Sequence, residues 1–404
     1  MDTGGSFSGG VIAMLILKRR KIMIKRNIRI LWGIALLQGM VFYAPVATLY
    51  RQAAGLGIFH ITVIESISLW LTICLEIPWG WVADRIGYRK TMLSCCVLYF
   101  ISKVVFWQAE GFAGFLLERI LLSVVCAGLS GVDSSMLYLS CGEKDSHRAF
   151  SIYESLGQAG LLLSAGIYSL WVGENYRLAA FLTVVSYGAA AILSLGLQEV
   201  SPGDESQLGK SFGNIWTVLK GQLGNPRLLV FLIAIGLFNE THQIVTVFLS
   251  QLQYVRAGMN HMQISVAYML VNALALLGVF SARLSNWLGM KFFGVVLLII
   301  AAVCSLLLGL FPIPLISVLA VMLLRICHGL MQPMQLELQN RMVTGKDRAT
   351  ALSINAVVLD SLGIFLNLIY GKVAEIRLDL ALYLGALMCF AGIFLYWHSF
   401  SKNS

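Results

Sequence analysis

The chain has 404 residues, of which 58% are hydrophobic and 12% charged. Soluble globular proteins carry about 25% charged residues, so this composition excludes a water-soluble protein and predicts one that lies in a lipid bilayer. The formal net charge of +9 does not indicate a nucleic-acid partner, because the basic residues concentrate in the loops on one side of the predicted spans.

Twelve apolar stretches are each long enough to cross a bilayer as an α-helix, which takes about 20 residues. In chain order they cover residues 28–50, 60–82, 92–109, 112–140, 149–172, 176–197, 228–254, 262–284, 291–311, 314–341, 349–374 and 378–398. The predicted fold class is therefore an all-α integral membrane protein with twelve transmembrane helices.

The basic residues orient these spans. Lys103, Arg119 and Arg325 lie inside spans, and most of the other Lys and Arg residues fall on one side when the N-terminus is placed in the cytoplasm. The outside loops then contain Arg51, Arg177, Arg256, Lys372 and Arg377. The positive-inside rule predicts that both termini are cytoplasmic.

An internal repeat divides the chain. Gly80-x3-Asp84-x2-Gly87-x-Arg89 recurs in weaker form as Ala282-x3-Asn286-x2-Gly289-x-Lys291, and Arg119-Ile120 in the fourth span matches Arg325-Ile326 in the tenth. Two parallel halves with a binding site between them are a known transporter design. The predicted units are a cytoplasmic tail (1–27), a six-helix bundle (28–197), a polar cytoplasmic linker (198–227) and a second six-helix bundle (228–404).

The segment after the second span carries the most specific motif. Its residues are Gly80, Asp84, Arg85, Gly87, Arg89 and Lys90. They resemble the signature loop of the major facilitator superfamily, G-x-x-x-D-[RK]-x-G-x-[RK]-[RK], at the place where that family has it. Supporting resemblances to bacterial members lie at Arg119 with 130–138, and at Arg325, Pro333, Asn340 and 348–350. The resemblance implies the superfamily's fold of two six-helix bundles and a location in the bacterial inner (plasma) membrane.

We interpret this motif as a cytoplasmic gating element. Asp84 can accept hydrogen bonds at a helix N-terminus, and the three basic residues can pair with Glu143 or Asp145 in the next cytoplasmic loop. The alternative is that the motif only anchors the helix ends. Asp84→Asn is expected to slow transport without abolishing substrate binding, and unchanged transport rates in that variant would contradict the gating role.

Charged residues inside spans are costly and are functional by default. Several spans carry polar stripes, which need a shared aqueous interior rather than lipid. The residues expected to line the substrate or proton pathway are Glu65, Arg119, Asp133, Glu154, Glu240, Arg325 and Asp360. Glu65 and Asp133 are the first candidates for a proton carrier, and His242 and His328 are the alternatives.

These features predict a secondary active transporter of a small organic solute that works by alternating access, and more specifically a proton-coupled efflux permease (an antiporter). The fifth span reads Gly157-Gln-Ala-Gly160 and lacks the glycine-proline repeat common in drug exporters of the superfamily, so a nutrient symporter or facilitator stays open. An integral-membrane enzyme on lipid-linked substrates is the remaining alternative, although the sequence shows no nucleophile–base pair. The expected partners are the solute, protons and the lipid bilayer, and no metal or other cofactor is predicted.

Overall fold

A computed structural model describes residues 26–129, 132–141, 146–200, 219–342 and 348–400. Within these ranges the membrane-spanning elements are helices, numbered here in chain order: α1 (Arg26–Ala53), α2 (Ile58–Ile86), α3 (Tyr88–Gln108), α4 (Gly111–Leu129 and Val132–Cys141), α5 (Ser146–Ile167, continued by Tyr168–Val172), α6 (Tyr176–Ser194), α7 (Pro226–Gln243, continued to Arg256), α8 (His261–Leu274, continued to Leu288), α9 (Met290–Leu310), α10 (Pro314–Met342), α11 (Arg348–Ile376) and α12 (Leu378–Ser399).

In the described part of the chain, eleven helices are long and apolar enough to cross a membrane. The remaining predicted span, 262–284, corresponds to α8, in which a 3-10 segment at Ala275–Phe280 separates two α-helical pieces. An all-helical fold is what lipid requires, because each helix satisfies its own backbone hydrogen bonds. The predicted fold class is confirmed.

Three helices, α1, α7 and α10, contain irregular segments or an internal proline. α1 is interrupted at residues 40–43 and continues through a 3-10 turn, Ala44–Val46, that contains Pro45. α7 passes through a π-helical segment at Ile244–Leu249. Pro333 lies inside α10 without ending it. Proline removes a backbone donor, and π segments are frequent at functional sites. The 3-10 turn of α1 and the π-helical segment of α7 both line the cavity described below.

The segment from residue 80 to residue 90 is not the loop that the sequence predicted. α2 runs on to Ile86 and α3 begins at Tyr88, so Gly87 alone joins the two helices. Gly87 has φ +90°, and Gly289 has φ +80° at the matching junction between α8 and α9. A residue without Cβ adopts these angles at little cost, which lets the chain reverse direction within one residue. The sequence repeat therefore has a matching backbone feature in each half.

We call the end of the helical bundle where α1 begins and α12 ends the near end. The opposite end is the far end. At the near end Asn27 donates to the carbonyl of Gln198 (2.9 Å), which ties the start of α1 to the residues after α6. Arg227 donates to the carbonyl of Ser399 (2.5 Å) and ties the start of α7 to the end of α12 in the same way.

Several helix pairs join α1–α6 to α7–α12, and two of them correspond to each other. α2 packs along α11, and α5 packs on α8. The hydroxyl of Ser66 donates to the carbonyl of Ile364 (3.1 Å), and the hydroxyl of Ser265 donates to the carbonyl of Ala165 (2.8 Å). If each helix of one half corresponds to the helix six places away in the other, α2 corresponds to α8 and α11 to α5. The two pairs are then equivalent, as two parallel halves require. The residue boundaries of the two bundles stay a prediction.

α1 and α5 approach each other through glycines. A Cβ at Gly160 would overlap the carbonyl oxygen of Leu36 and lie 3.1 Å from the carbonyl carbon of Gly39. Small residues allow such backbone contact between membrane helices.

Gly160→Ala is therefore expected to destabilise the protein by about 1–3 kcal/mol, because backbone cannot move aside as a side chain can. The matched control is Gly166→Ala in the same helix, where the nearest atom is the Met269 sulfur at 3.8 Å. Thermal unfolding in detergent measures both variants. Equal melting temperatures would contradict the close α1–α5 contact.

Candidate functional site: a charged cavity between the helices

A cavity of about 290 Å³ lies in the far half of the bundle. It is bordered by α1, α3 and α4 on one side and by α7, α8 and α10 on the other. Its charged lining residues are Arg51, Lys103, Glu118, Arg119 and Arg325. A cavity with this lining in the middle of apolar helices is a place where a polar solute can bind out of contact with lipid.

Lys103 and Glu118 form a buried ion pair between α3 and α4. Their Nζ and Oε1 atoms are 3.4 Å apart, and the two side chains are 5% and 1% exposed. Lys103 also donates to the Tyr43 hydroxyl (3.1 Å) and lies 5.1 Å from the centre of the Tyr99 ring. These contacts compensate for the cost of burying the ammonium group.

Glu65 and Arg119 form a second ion pair, between α2 and α4. Their Oε2 and Nη2 atoms are 2.6 Å apart, and both side chains are partly exposed. The structure thus brings together two residues that the sequence placed on the pathway. Arg325, their predicted counterpart in the second half, lines the same cavity from α10.

Arg51 differs from its predicted position. It was expected in an outside loop, but α1 extends to Ala53 and the Arg51 side chain is only 6% exposed. Its guanidinium lies 5.6 Å from the centre of the Phe106 ring, and its Nε has no hydrogen-bond partner. The interruption of α1 was not visible in the hydropathy pattern, and it places this last turn against α3.

His242 of α7 and His328 of α10 stack face to face. Their ring centres are 3.8 Å apart and the rings are 5° from parallel. His328 Nε2 also lies 3.0 Å from Nε2 of Gln332, and His242 Nε2 lies 3.4 Å from the Thr246 hydroxyl. Two stacked imidazoles repel each other strongly when both are protonated. Repulsion therefore disfavours the doubly charged form of this pair.

Glu240 lies two residues before His242 in α7 and faces α11. A Cβ at Gly363 would lie 2.6 Å from Glu240 Oε1, and Glu240 Oε2 is buried without a hydrogen-bond partner. Asp360 of α11 and Glu65 of α2 are within Coulombic range of this carboxylate. Acidic groups from three helices of both halves are therefore near enough to influence one another electrostatically.

The two remaining predicted pathway residues lie in the near half. Asp133 begins the second part of α4 and accepts hydrogen bonds from the backbone N–H of Ser134 (2.6 Å) and the hydroxyl of Tyr153 (3.4 Å). Glu154, on α5, is exposed. Neither lines the charged cavity, and their part in transport stays a prediction.

The motif at residues 80–90, predicted to act as a gate, has one described neighbour that the sequence did not predict. Glu199, after α6, accepts a hydrogen bond from the backbone N–H of Arg89 (3.2 Å), and its carboxylate lies against Gly87. The predicted partners Glu143 and Asp145 lie outside the described residues, as do the side chains at 80 and 84. The side chains of Arg85, Arg89 and Lys90 are exposed at the near end.

Sequence reasoning missed several residues of the site. The sequence marks Lys103 as a charge within a span, but neither Lys103 nor its partner Glu118 is among the predicted pathway residues. A search for acids at far-end positions of neighbouring spans could have matched the two. Nothing in the sequence signals the burial of Arg51.

Comparisons with known proteins agree with this architecture. A bacterial homolog of the human lysosomal transporter Spinster, inward-facing and unoccupied, has a TM-score of 0.71 at 16% identity, covering 94% of this chain and 96% of its own. A mutant form of the nucleoside transporter NupG has a TM-score of 0.81 at 15% identity, covering 93% of this chain and 100% of its own. A D-xylose-proton symporter has a TM-score of 0.67 at 14% identity, covering 91% and 97%. No curated protein matches the chain.

The fold and the charged cavity define a multi-pass membrane transporter rather than an enzyme. A sequence profile of the Major Facilitator Superfamily matches residues 15–368. The chain belongs to that superfamily.

Proposed function

We propose that this protein is a proton-coupled secondary transporter that moves a small organic solute through the cavity by alternating access. The observation that carries the proposal is the cavity itself, which is bordered by α1, α3 and α4 of the first half and α7, α8 and α10 of the second. Charged groups from both halves face one cavity, so a bound solute contacts both halves at once.

The contacts between the halves support an inward-facing state. The far end is joined by α1 and α7, where the backbone N–H of Thr48 donates to Gln251 (2.8 Å), and by the α5–α8 contact at Ser265. The positive-inside rule places the near end in the cytoplasm of a bacterial cell, so the far end faces outward. The likeness to an inward-facing neighbour is consistent with this assignment.

Proton coupling is proposed from the acidic groups. Glu240 has a buried carboxylate oxygen without a partner, and a bound proton would remove a charge that nothing compensates. Asp360 of α11 and Glu65 of α2 act electrostatically on this carboxylate, so its proton would be coupled to the α2–α11 contact between the halves. The motif at 80–90 is proposed to gate the near end.

Export by antiport is the direction that the sequence predicted. Import by symport is the second candidate, because one structural neighbour is a D-xylose-proton symporter and α5 lacks the proline of drug exporters. Both use the same cavity and differ in the sign of the proton gradient that drives accumulation.

Proteoliposomes with an imposed pH gradient test the proposal. The probes are uridine, D-xylose, succinate and the organic cation ethidium, each measured with the gradient in both directions. Accumulation of a probe that needs the gradient supports proton-coupled transport, and the effective sign of the gradient distinguishes symport from antiport. If no probe moves faster than in empty liposomes, the proposed function is contradicted.

A further inference from the structure

We infer that the transported solute is a small organic dianion, a dicarboxylate or a phosphate monoester, held between Arg51 of α1 and Arg325 of α10. This inference rests on the proposed function, because it names the substrate class of the same cavity. It follows from the charges that line the cavity.

The cavity holds more positive than negative charge. Four cationic side chains line it, and the acids beside them are Glu118 and Glu65. Each acid already pairs with one cation, Glu118 with Lys103 at 3.4 Å and Glu65 with Arg119 at 2.6 Å. Two guanidinium groups therefore remain without a carboxylate, those of Arg51 and Arg325.

Neither of these guanidinium groups has an acidic partner within 4 Å among the residues that the structure describes. Arg51 is only 6% exposed, and the Nε atoms of both arginines are buried without a hydrogen-bond partner. Arginine stays protonated in proteins, so these groups cannot lose their charge to relieve the cost. An anion that binds both groups would offset this cost.

A ligand with two negative charges balances the two unpaired guanidinium groups. Carboxylates and phosphate monoesters present the oxygen pairs that a guanidinium binds with two parallel hydrogen bonds. A cationic solute would add a further positive charge to the cavity, and a neutral solute would leave both guanidinium groups without a carboxylate or phosphate partner. Charge therefore selects a dianion over the other classes.

The uncharged residues of the cavity lining suit a dianion whose uncharged part is small. The hydroxyls of Thr48 and Tyr254 are buried without hydrogen-bond partners, and both residues border the cavity. The volume of about 290 Å³ is at the lower limit of ligand pockets, which span roughly 300–1,000 Å³. A compact solute with few carbon atoms and one or two hydrogen-bonding groups is the best match.

The position of the two arginines gives the anion a part in the transport cycle. Arg51 lies in the first half and Arg325 in the second, so a dianion bound to both side chains would be attracted to both halves at once. Substrate binding would then favour the state in which the two halves close around the cavity.

Thermal unfolding of the purified full chain in detergent, with matched pairs of probes, tests the inference. The pairs are succinate with its neutral diamide and glycerol 2-phosphate with glycerol, all at one ionic strength set with sodium chloride. One of the two dianions is expected to raise the melting temperature, and its neutral counterpart is not. Which dianion acts distinguishes a dicarboxylate from a phosphate site.

Variants assign the effect to the cavity. Arg51→Gln and Arg325→Gln are each expected to weaken binding of the active dianion at least tenfold, and Arg325→Lys less than Arg325→Gln. Arg177→Gln is the control, because Arg177 is 57% exposed at the far end and pairs with Glu110 outside the cavity. Should Arg51→Gln fail to fold, the two Arg325 variants decide the question.

Three results would overturn the inference: no stabilisation by either dianion, equal stabilisation by a neutral partner, or unchanged affinity in the Arg325→Gln variant. Proteoliposome flux separates this failure from failure of the proposed function. Gradient-driven accumulation of uridine or D-xylose that is unaffected by Arg325→Gln would keep the transporter and discard the anionic substrate. Absence of flux for all probes would discard both.

Discussion

Replacing Glu118 by Gln is expected to lower the free energy of unfolding by about 3–5 kcal/mol, the cost of leaving one partner of a buried ion pair alone. Glu118 is 1% exposed and Lys103 is 5% exposed, so water cannot take the place of the lost carboxylate. The Tyr43 hydroxyl would remain as a neutral partner for the ammonium group. Denaturation of the purified protein in detergent measures the change.

The control for this prediction is Glu110→Gln. Glu110 also pairs with a basic residue, Arg177, at 2.6 Å, but the two side chains are 78% and 57% exposed. Exposed pairs contribute only about 0–1 kcal/mol. The double variant Lys103→Met/Glu118→Gln should recover much of the loss, since it leaves no buried charge. Equal effects of Glu118→Gln and Glu110→Gln would contradict the buried pair.

Replacing Glu240 by Gln is expected to uncouple transport from protons. Glutamine resembles the protonated carboxyl and cannot release a proton, so one step of the coupled cycle is lost while the cavity keeps its shape. Gradient-driven accumulation should fall about tenfold or more, within the range that a coupling free energy of about 1–3 kcal/mol allows. Counterflow, in which a solute exchanges across the membrane without net proton movement, should persist.

The measurement compares both assays in the same proteoliposomes, with whichever probe the wild type accumulates. Glu337→Gln is the matched control, because Glu337 is 47% exposed in α10 and pairs with Arg341 one turn away. Loss of counterflow along with accumulation would mean that Glu240 is needed for binding or folding. Retention of full accumulation would remove Glu240 as the proton carrier and leave Glu65, Asp133 and the stacked histidines as candidates.

The fold was largely predictable because a bilayer imposes a simple rule. A span needs about 20 apolar residues. A helix suits lipid because it satisfies its backbone hydrogen bonds within a single segment. The sequence could not place the ends of those spans as well. Gly87 joins two helices where a loop was expected, and α1 continues to Ala53 past its predicted end. Such details depend on backbone angles and on neighbouring helices, which hydropathy does not record.

The site was predictable in part, for a related reason. Charge within a span marked Arg119 and Arg325, and the repeat placed them in corresponding helices, where they border one cavity. Partners from distant parts of the chain were not readable from the sequence. Glu65 meets Arg119 across 54 positions of sequence because α2 and α4 pack together, and Arg51 is buried through the interruption of α1. Periodicity identifies a face of a helix but not what lies opposite.

In the proposed transport cycle, the far end opens when the near end closes. In the structure the far end is held together by Thr48 with Gln251, and by Ala165 with Ser265. Because these contacts lie between the halves, they must break in the outward-facing state. The central claim is thus that solute passes between the two halves as those contacts form and break.

A reversible cross-link between α5 and α8 tests that claim most directly. The double variant Ala165→Cys/Ser265→Cys, oxidised in proteoliposomes, joins two residues whose carbonyl and hydroxyl oxygens are 2.8 Å apart. The expected result is loss of transport on oxidation and recovery on reduction, with both single-cysteine variants unaffected by the same treatment. Full transport by protein shown to be cross-linked at these two positions would contradict alternating access through this cavity.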